Sequence, residues 1–218
     1  MNNINSQEEP LALALELNQA GHLDEAKARC QEIVRDNPSH AAAWNLLGFL
    51  QHQAGGIESA IGAFQSAIFA KPDFADANFN LGNVYRHHGR LSEAESAYRG
   101  YLALNPSDAA VQLSLGVVFQ EQGAHADAAD LFRSVPTAAP DATDAHFHLV
   151  GAQMAMGELE SALQSYQEVL RRQPNNLDAA TNRGYILKKL GRYEEAERAL
   201  RSALDLNPPK AIITLVPY

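Results

Sequence analysis

Residues 41–74, AAAWNLLGFLQHQAGGIESAIGAFQSAIFAKPDF, decide the fold of this 218-residue chain. Apolar residues recur there at helical spacing on both sides of the glycine pair Gly55 and Gly56, which predicts two short amphipathic helices joined by a turn. The stretch is 34 residues long, and versions of it recur at that period. Counting places from Ala41, Trp44 is at 4, Leu47 at 7, Gly48 at 8, Gly55 at 15, Ala60 at 20, Phe64 at 24 and Pro72 at 32. Place 15 is Gly21, Gly55, Gly89, Gly123, Gly157 and Gly191. Place 20 is Ala26, Ala60, Ala94, Ala128, Ala162 and Ala196, and place 32 is Pro38, Pro72, Pro106, Pro140, Pro174 and Pro208. Six copies therefore follow one another without slippage.

Each landmark has a mechanical reason. Glycine at 15 supplies the positive φ or tight cap that ends a first helix. Alanine at 20 lets a second helix approach the first closely, and proline at 32 stops that second helix and extends the residue before it. Place 24, which holds Cys30, Phe64, Tyr98, Phe132, Tyr166 and Leu200, is a knob aimed at the apolar residues of places 4, 7 and 11. One unit cannot bury that face alone, whereas stacked units can.

The period and its landmarks resemble the helix–turn–helix signature of the tetratricopeptide repeat (TPR) family. The resemblance covers residues 7–210, as repeats 7–40, 41–74, 75–108, 109–142, 143–176 and 177–210, and leaves 211–218 as an apolar tail outside the pattern. It implies an all-α, right-handed superhelical solenoid of about six repeats that binds on its concave face, through places 2, 5, 6, 9, 12 and 13 of each first helix. From those places come the candidate groove residues Phe49, His52, Phe79, Asn80, Asn83, Arg86, Phe147, Tyr185 and Lys188. Exposed rings beside amides suit a peptide segment; the competing reading is that the rings stack between neighbouring first helices and only line the solenoid. Two family modes fail residue by residue. A carboxylate clamp for a chaperone tail needs lysine and asparagine ahead of Asn80, where Asn45 and Phe49 stand, and basic residues after it, where Ala110 and Ser114 stand. An asparagine ladder at place 6 is met only by Asn80 and Asn182.

Three places break the period. Pro10 reads as the start of the first helix, since proline is tolerated in a first turn. Pro136, at place 28, should end the second helix of repeat 4 near Ser134 and lengthen the connection that follows, either as a tolerated irregularity or as a hinge between repeats 1–4 and 5–6. Arg183 takes place 7 of repeat 6, where leucine is usual, and after Pro208 and Pro209 the tail AIITLVPY is not helical in pattern. That tail is expected to pack on the last repeat, to dock in a groove, or to lead into a further domain.

Composition sets the remaining bounds. Aspartate and glutamate number 26 against 17 lysine and arginine, a net charge of -9, so nucleic acid is not expected as the main partner. Residues 171–218 reverse the balance, with nine basic and five acidic side chains, and could meet an acidic segment or favour head-to-tail self-association. One cysteine, Cys30, excludes an internal disulfide and reads as a small buried hydrophobe. No membrane span or signal peptide is read, which makes a cytoplasmic location the expectation. His87 and His88 are adjacent and His146 and His148 two apart, spacings read as pointing to different sides of a helix, so neither metal nor cofactor is expected. No nucleophile, phosphate-loop or dinucleotide motif is found, and no enzyme is expected. The expectation is a noncatalytic scaffold holding a peptide segment of a partner protein; the alternatives are the recruiting arm of a larger enzyme cut after Tyr218, and a self-assembling structural protein.

Overall fold

A computed structural model describes residues 5–136 and 142–206, with side chains over 10–136 and 142–204. Its described residues form twelve α-helices and no strand, so the all-α helical-repeat class is realised. In chain order they are α1 (Asn5–Gln19), α2 (Leu23–Asp36), α3 (Ala41–Gln53), α4 (Ile57–Ala70), α5 (Ala75–His87), α6 (Leu91–Leu104), α7 (Ala109–Glu121), α8 (His125–Ser134), α9 (Ala142–Ala155), α10 (Leu159–Arg172), α11 (Leu177–Lys189) and α12 (Tyr193–Leu206). Two compact units divide the chain, Met1–Val118 and Phe119–Tyr218. In the first, the pairs α1/α2, α3/α4 and α5/α6 each pack together, α2 leans on α3 and α4 on α5. In the second, α9 packs on both α8 and α10, and α11 on both α10 and α12.

The turn between paired helices is the same device six times. The place-15 glycines all have positive φ, from 70° at Gly89 to 80° at Gly21 and Gly123. In each, the next residue's N–H returns to the carbonyl of place 11, as in His22 to Leu17 (2.9 Å), Arg90 to Tyr85 (2.9 Å) and Glu158 to Gln153 (2.8 Å). That six-to-one bond is the Schellman closure, and it satisfies a carbonyl the ending helix would leave unpaired. The following helix then begins against its partner through a fully buried alanine at place 20 in repeats 1 to 5.

At place 8 the need for glycine is spatial. A Cβ on Gly48 would stand 2.8 Å from the ring of Phe64, and one on Gly82 would stand 2.7 Å from the ring of Tyr98. The place-24 ring thus packs directly on backbone of the first helix. Repeat 5 moves the small residue by one place: Val150 is buried at 8, and Gly151 at 9 faces Gln120, whose Nε2 would be 2.9 Å from an added Cβ.

Each unit has its own core. Cys30, Val34, Ala43, Leu47 and Leu50 cluster in the first, and Val150, Leu163, Tyr166, Val169 and Ile186 in the second. Burial pushes the Cys30 thiol up to about 11, as a place-24 knob should behave. The junction between repeats adds polar fixings: the indole of Trp44 donates to the Pro38 carbonyl and the Gln112 amide to the Pro106 carbonyl, both at 2.9 Å. Both bonds join place 4 to place 32 of the repeat before.

Of three sequence expectations, two change and one holds. Pro10 lies inside α1 rather than at its start, because the helix already runs from Asn5; only the turn ahead of the proline loses a backbone bond. The second helix of repeat 4 does stop at Ser134, giving α8 ten residues where α10 has fourteen. Val135, ahead of Pro136, is extended (φ -62°, ψ 121°) and buried. The division into units nevertheless falls after Val118, inside α7, and α8 and α9 on either side of Pro136 pack together, so Pro136 is not the boundary. Pro140, Pro208 and the tail 211–218 lie outside the described residues.

Candidate functional site

The candidate residues sit on the first helices, and the period sorts them by place. Phe79 and Phe147 are both at place 5, and each turns toward the second helix of its own repeat. Phe79 lies 6.1 Å from the ring of Tyr98 and 5.9 Å from that of Tyr101, and Phe147 meets Tyr166 edge-on at 6.2 Å. These two half-buried rings pack on the second helix of their own repeat. Place 9 behaves differently: Leu15, Phe49 and Tyr185 all occupy it and keep 42%, 39% and 50% of their surface exposed. Large apolar side chains are offered there at the same point of three repeats.

Polar groups flank these side chains. Asn80 donates to Asn45 at 2.9 Å, tying α5 to α3 beside Phe49. Asn83 is occupied from below, accepting the Tyr98 hydroxyl at 2.7 Å. Tyr101 is fixed by its bond to Asp108 (2.7 Å), which pushes its phenol up to about 12, while the other Asp108 oxygen caps α7 at Val111. Arg86 is half-buried on α5. In the second unit Lys188 is exposed, and Lys189 lies 5.0 Å above the ring of Tyr185, a cation–π contact. His148 stacks on Phe132 at 5.3 Å, which removes it from the open face.

The histidines need a correction. His52, on α3, stands 6.3 Å from His87 and 6.1 Å from His88, and the latter two are 6.5 Å apart. His88 is the C-cap residue of α5, where the backbone leaves the helix, so adjacent residues there need not diverge as helical spacing implies. Among the described residues no group of three His, Cys, Asp or Glu is arranged to hold a metal ion. No described helix is long and apolar enough to cross a membrane.

Two features escaped the sequence reading. Arg90 bridges repeats by bonding Glu58 (3.2 Å) and Glu93 (3.0 Å), and Arg192 does the same with Glu160 (3.4 Å) and Glu195 (2.7 Å). The signal is arginine at place 16 with glutamate at 19 and at place 18 of the repeat before. In repeat 5 the Ser165 hydroxyl donates to Gln153 at 2.9 Å, both buried; glutamine at the supposedly apolar place 11 was the visible sign.

Paired helices with one Schellman turn per repeat and with side chains offered from first helices define an α-helical repeat solenoid. The chain belongs to the tetratricopeptide repeat family, whose model matches residues 11–55, 50–109, 88–143 and 149–211. Among curated proteins, the FK506-binding protein-like protein of Homo sapiens is 34% identical over 73 residues, 34% of this chain and 21% of that protein. The match spans about a fifth of that relative's length. Among solved structures, MamA superposes with a TM-score of 0.72 at 21% identity, over 82% of this chain and 97% of that one. YrrB, described as a TPR protein with an unusual peptide-binding site, superposes with a TM-score of 0.70 at 21% identity, over 83% and 93% of the two chains. At these identities the likeness is one of fold.

Proposed function

We propose that this protein is a noncatalytic scaffold that holds a peptide segment of a partner protein on its first-helix face. One observation carries the reading: place 9 presents Leu15, Phe49 and Tyr185 to solvent, whereas the place-5 rings are used in packing. Large apolar side chains offered at one recurrent place of the first helices suit an interaction surface. Phe49, with the Asn45–Asn80 pair beside it, is the anchor of the first unit; Tyr185, with Lys188 and Lys189, is the anchor of the second. Asn83, Phe79 and Phe147 shape the surface from behind, and His52 and Arg86 continue it along α3 and α5. The peptide-binding description of YrrB is in keeping with this reading.

The test is capture of prey from a lysate by the intact chain and by a Phe49→Ala/Tyr185→Ala variant. Because both side chains are exposed, the variant should keep the parent's circular dichroism and melting temperature. A prey protein retained by the parent, lost by the variant and bound again as an isolated peptide supports the groove. Equal capture by both removes it. Self-association is the second reading, favoured by Leu200 and Leu204 at 37% and 56% exposure on α12. It requires a mass in sedimentation that rises with concentration and falls when Leu204 is replaced by glutamate.

A further inference from the structure

Place 7 is where the sixth repeat departs from the other five. It holds Leu13, Leu47, Leu81, Leu115 and Leu149 in repeats 1 to 5, and Arg183 in repeat 6. Four of those leucines, from Leu47 to Leu149, are buried. Arg183 is half-buried, and a guanidinium there is costly unless its donors are satisfied; its Nε is shut away from solvent with no hydrogen-bond partner among the described residues. The carboxylate that lines the same cleft, Glu195, takes its hydrogen bonds from another residue. Glu195 is held by two 2.7 Å bonds from Arg192.

Arg183 lines a cleft of about 250 Å³ between α10, α11 and α12, together with Gln167, Arg198 and Ser202. That volume exceeds several waters at about 30 Å³ each, enough for an oxyanion and part of its hydration. The Glu195 carboxyl is held below its usual range, first by its bond from Arg192 and then by nearby positive charge, that of Arg198 and Arg183 included. A fold that runs on leucine at place 7 in every other repeat does not need arginine there. A local rule broken at one repeat, with a donor left unpaired among the described residues, marks a candidate functional position.

We propose that this cleft binds an oxyanion, a phosphate or a carboxylate group, with Arg183 and Arg198 as the residues that hold it. Arginine forks match both groups in two-pronged geometry, and Gln167 and Ser202 add neutral donors at the rim. Glu195, the one carboxylate among the described lining residues, takes its hydrogen bonds from Arg192 and not from Arg183 or Arg198. The site lies among α10, α11 and α12 and does not use Phe49 or Tyr185, so it stands apart from the peptide-binding reading.

The test is calorimetric titration of the intact chain with inorganic phosphate and, separately, with N-acetylglutamate, at ionic strength held constant with chloride. One of the two should saturate a single site, and which one does identifies the group recognised. Arg183→Leu restores the residue of the other five repeats, so it should fold and melt no lower than the parent while its affinity falls at least about tenfold. Arg198→Gln should weaken binding as well, and serves if Arg183→Leu does not fold. Arg171→Gln, which breaks the pair with Glu168 outside the cleft, should bind as the parent does. The Nε–H resonance of Arg183 should shift with the same saturation curve. Saturation by neither anion, or equal affinity in the parent, Arg183→Leu and Arg198→Gln, overturns the proposal.

Discussion

Two glycine places show how one residue type answers two different needs. Gly55 has φ 79° and open space around it, whereas Gly82 has an ordinary φ and a ring 2.7 Å from where Cβ would be. Gly55→Ala should therefore cost about 1 kcal/mol, from backbone strain alone. Gly82→Ala must displace Tyr98, which is fully buried and tied by its hydroxyl to Asn83 at 2.7 Å, so it should cost on the order of 1–3 kcal/mol. Urea unfolding followed by circular dichroism measures both, and Gly82→Ala trimmed by a second change, Tyr98→Leu, should recover part of its loss. If Gly55→Ala proves the worse of the two, the spatial reading of place 8 fails. Both needs were legible as a period in the sequence, but only φ and distance tell which need each place serves. The aromatic candidates show the same limit: Phe79 and Phe49 look alike in the sequence, and one turn of helix, place 5 against place 9, sends the first onto Tyr98 and Tyr101 and leaves the second in solvent.

At the scale of elements, the pair α9 and α10 carries a built-in sensitivity to acid. Burial and then the charge of Arg172 hold the His146 imidazole below its ordinary value near 6.5. The charge of Glu168 opposes this weakly. A histidine kept neutral by the fold contributes stability that is present above pH 6.5 and is lost as pH falls through the folded value. Glu168 is pulled down to about 2 by hydrogen bonds, chiefly from Arg171 and also from Arg172. Its contribution is present above its ordinary value near 4.5 and is lost only as pH falls from there toward 2. Acid should thus weaken this helix pair in two windows, histidine first. His146→Gln should flatten the loss of urea stability between pH 7.5 and 5 and leave the lower window unchanged. A parent whose stability does not move between pH 7.5 and 5 would count against a buried neutral His146. The sequence located α9 and α10 and the shortening of α8 at Ser134, because proline and glycine act locally. It could not supply this electrostatic coupling, which depends on which side chains of α10 face His146 across the helix pair.

On the scale of the whole molecule, the repeat period makes stability a sum of units and of the contacts between neighbours. A middle repeat has its knob covered: Phe64 on α4 and Tyr98 on α6 are buried to within 1% of their surface. The corresponding knob of the last repeat, Leu200 on α12, is 37% exposed, and Leu204 one turn on is 56% exposed. Repeat 6 also carries Arg183 in place of a core leucine, with an Nε that finds no partner among the described residues. Fewer covered apolar atoms and one uncompensated donor lower the free energy of local opening. Amides in the body of α12 should therefore exchange with deuterium at least about tenfold faster than those of α4 and α6, a gap of roughly 1.4 kcal/mol in opening free energy. Saturating the anion that the Arg183 cleft takes should narrow that gap, since a ligand held only by the closed state suppresses opening. Equal protection in α4, α6 and α12 without anion would mean that the last repeat is covered after all, by the segment that follows it or by another copy. Concentration separates those two: protection contributed by a second copy fades on dilution, and protection contributed by residues 207–218 does not.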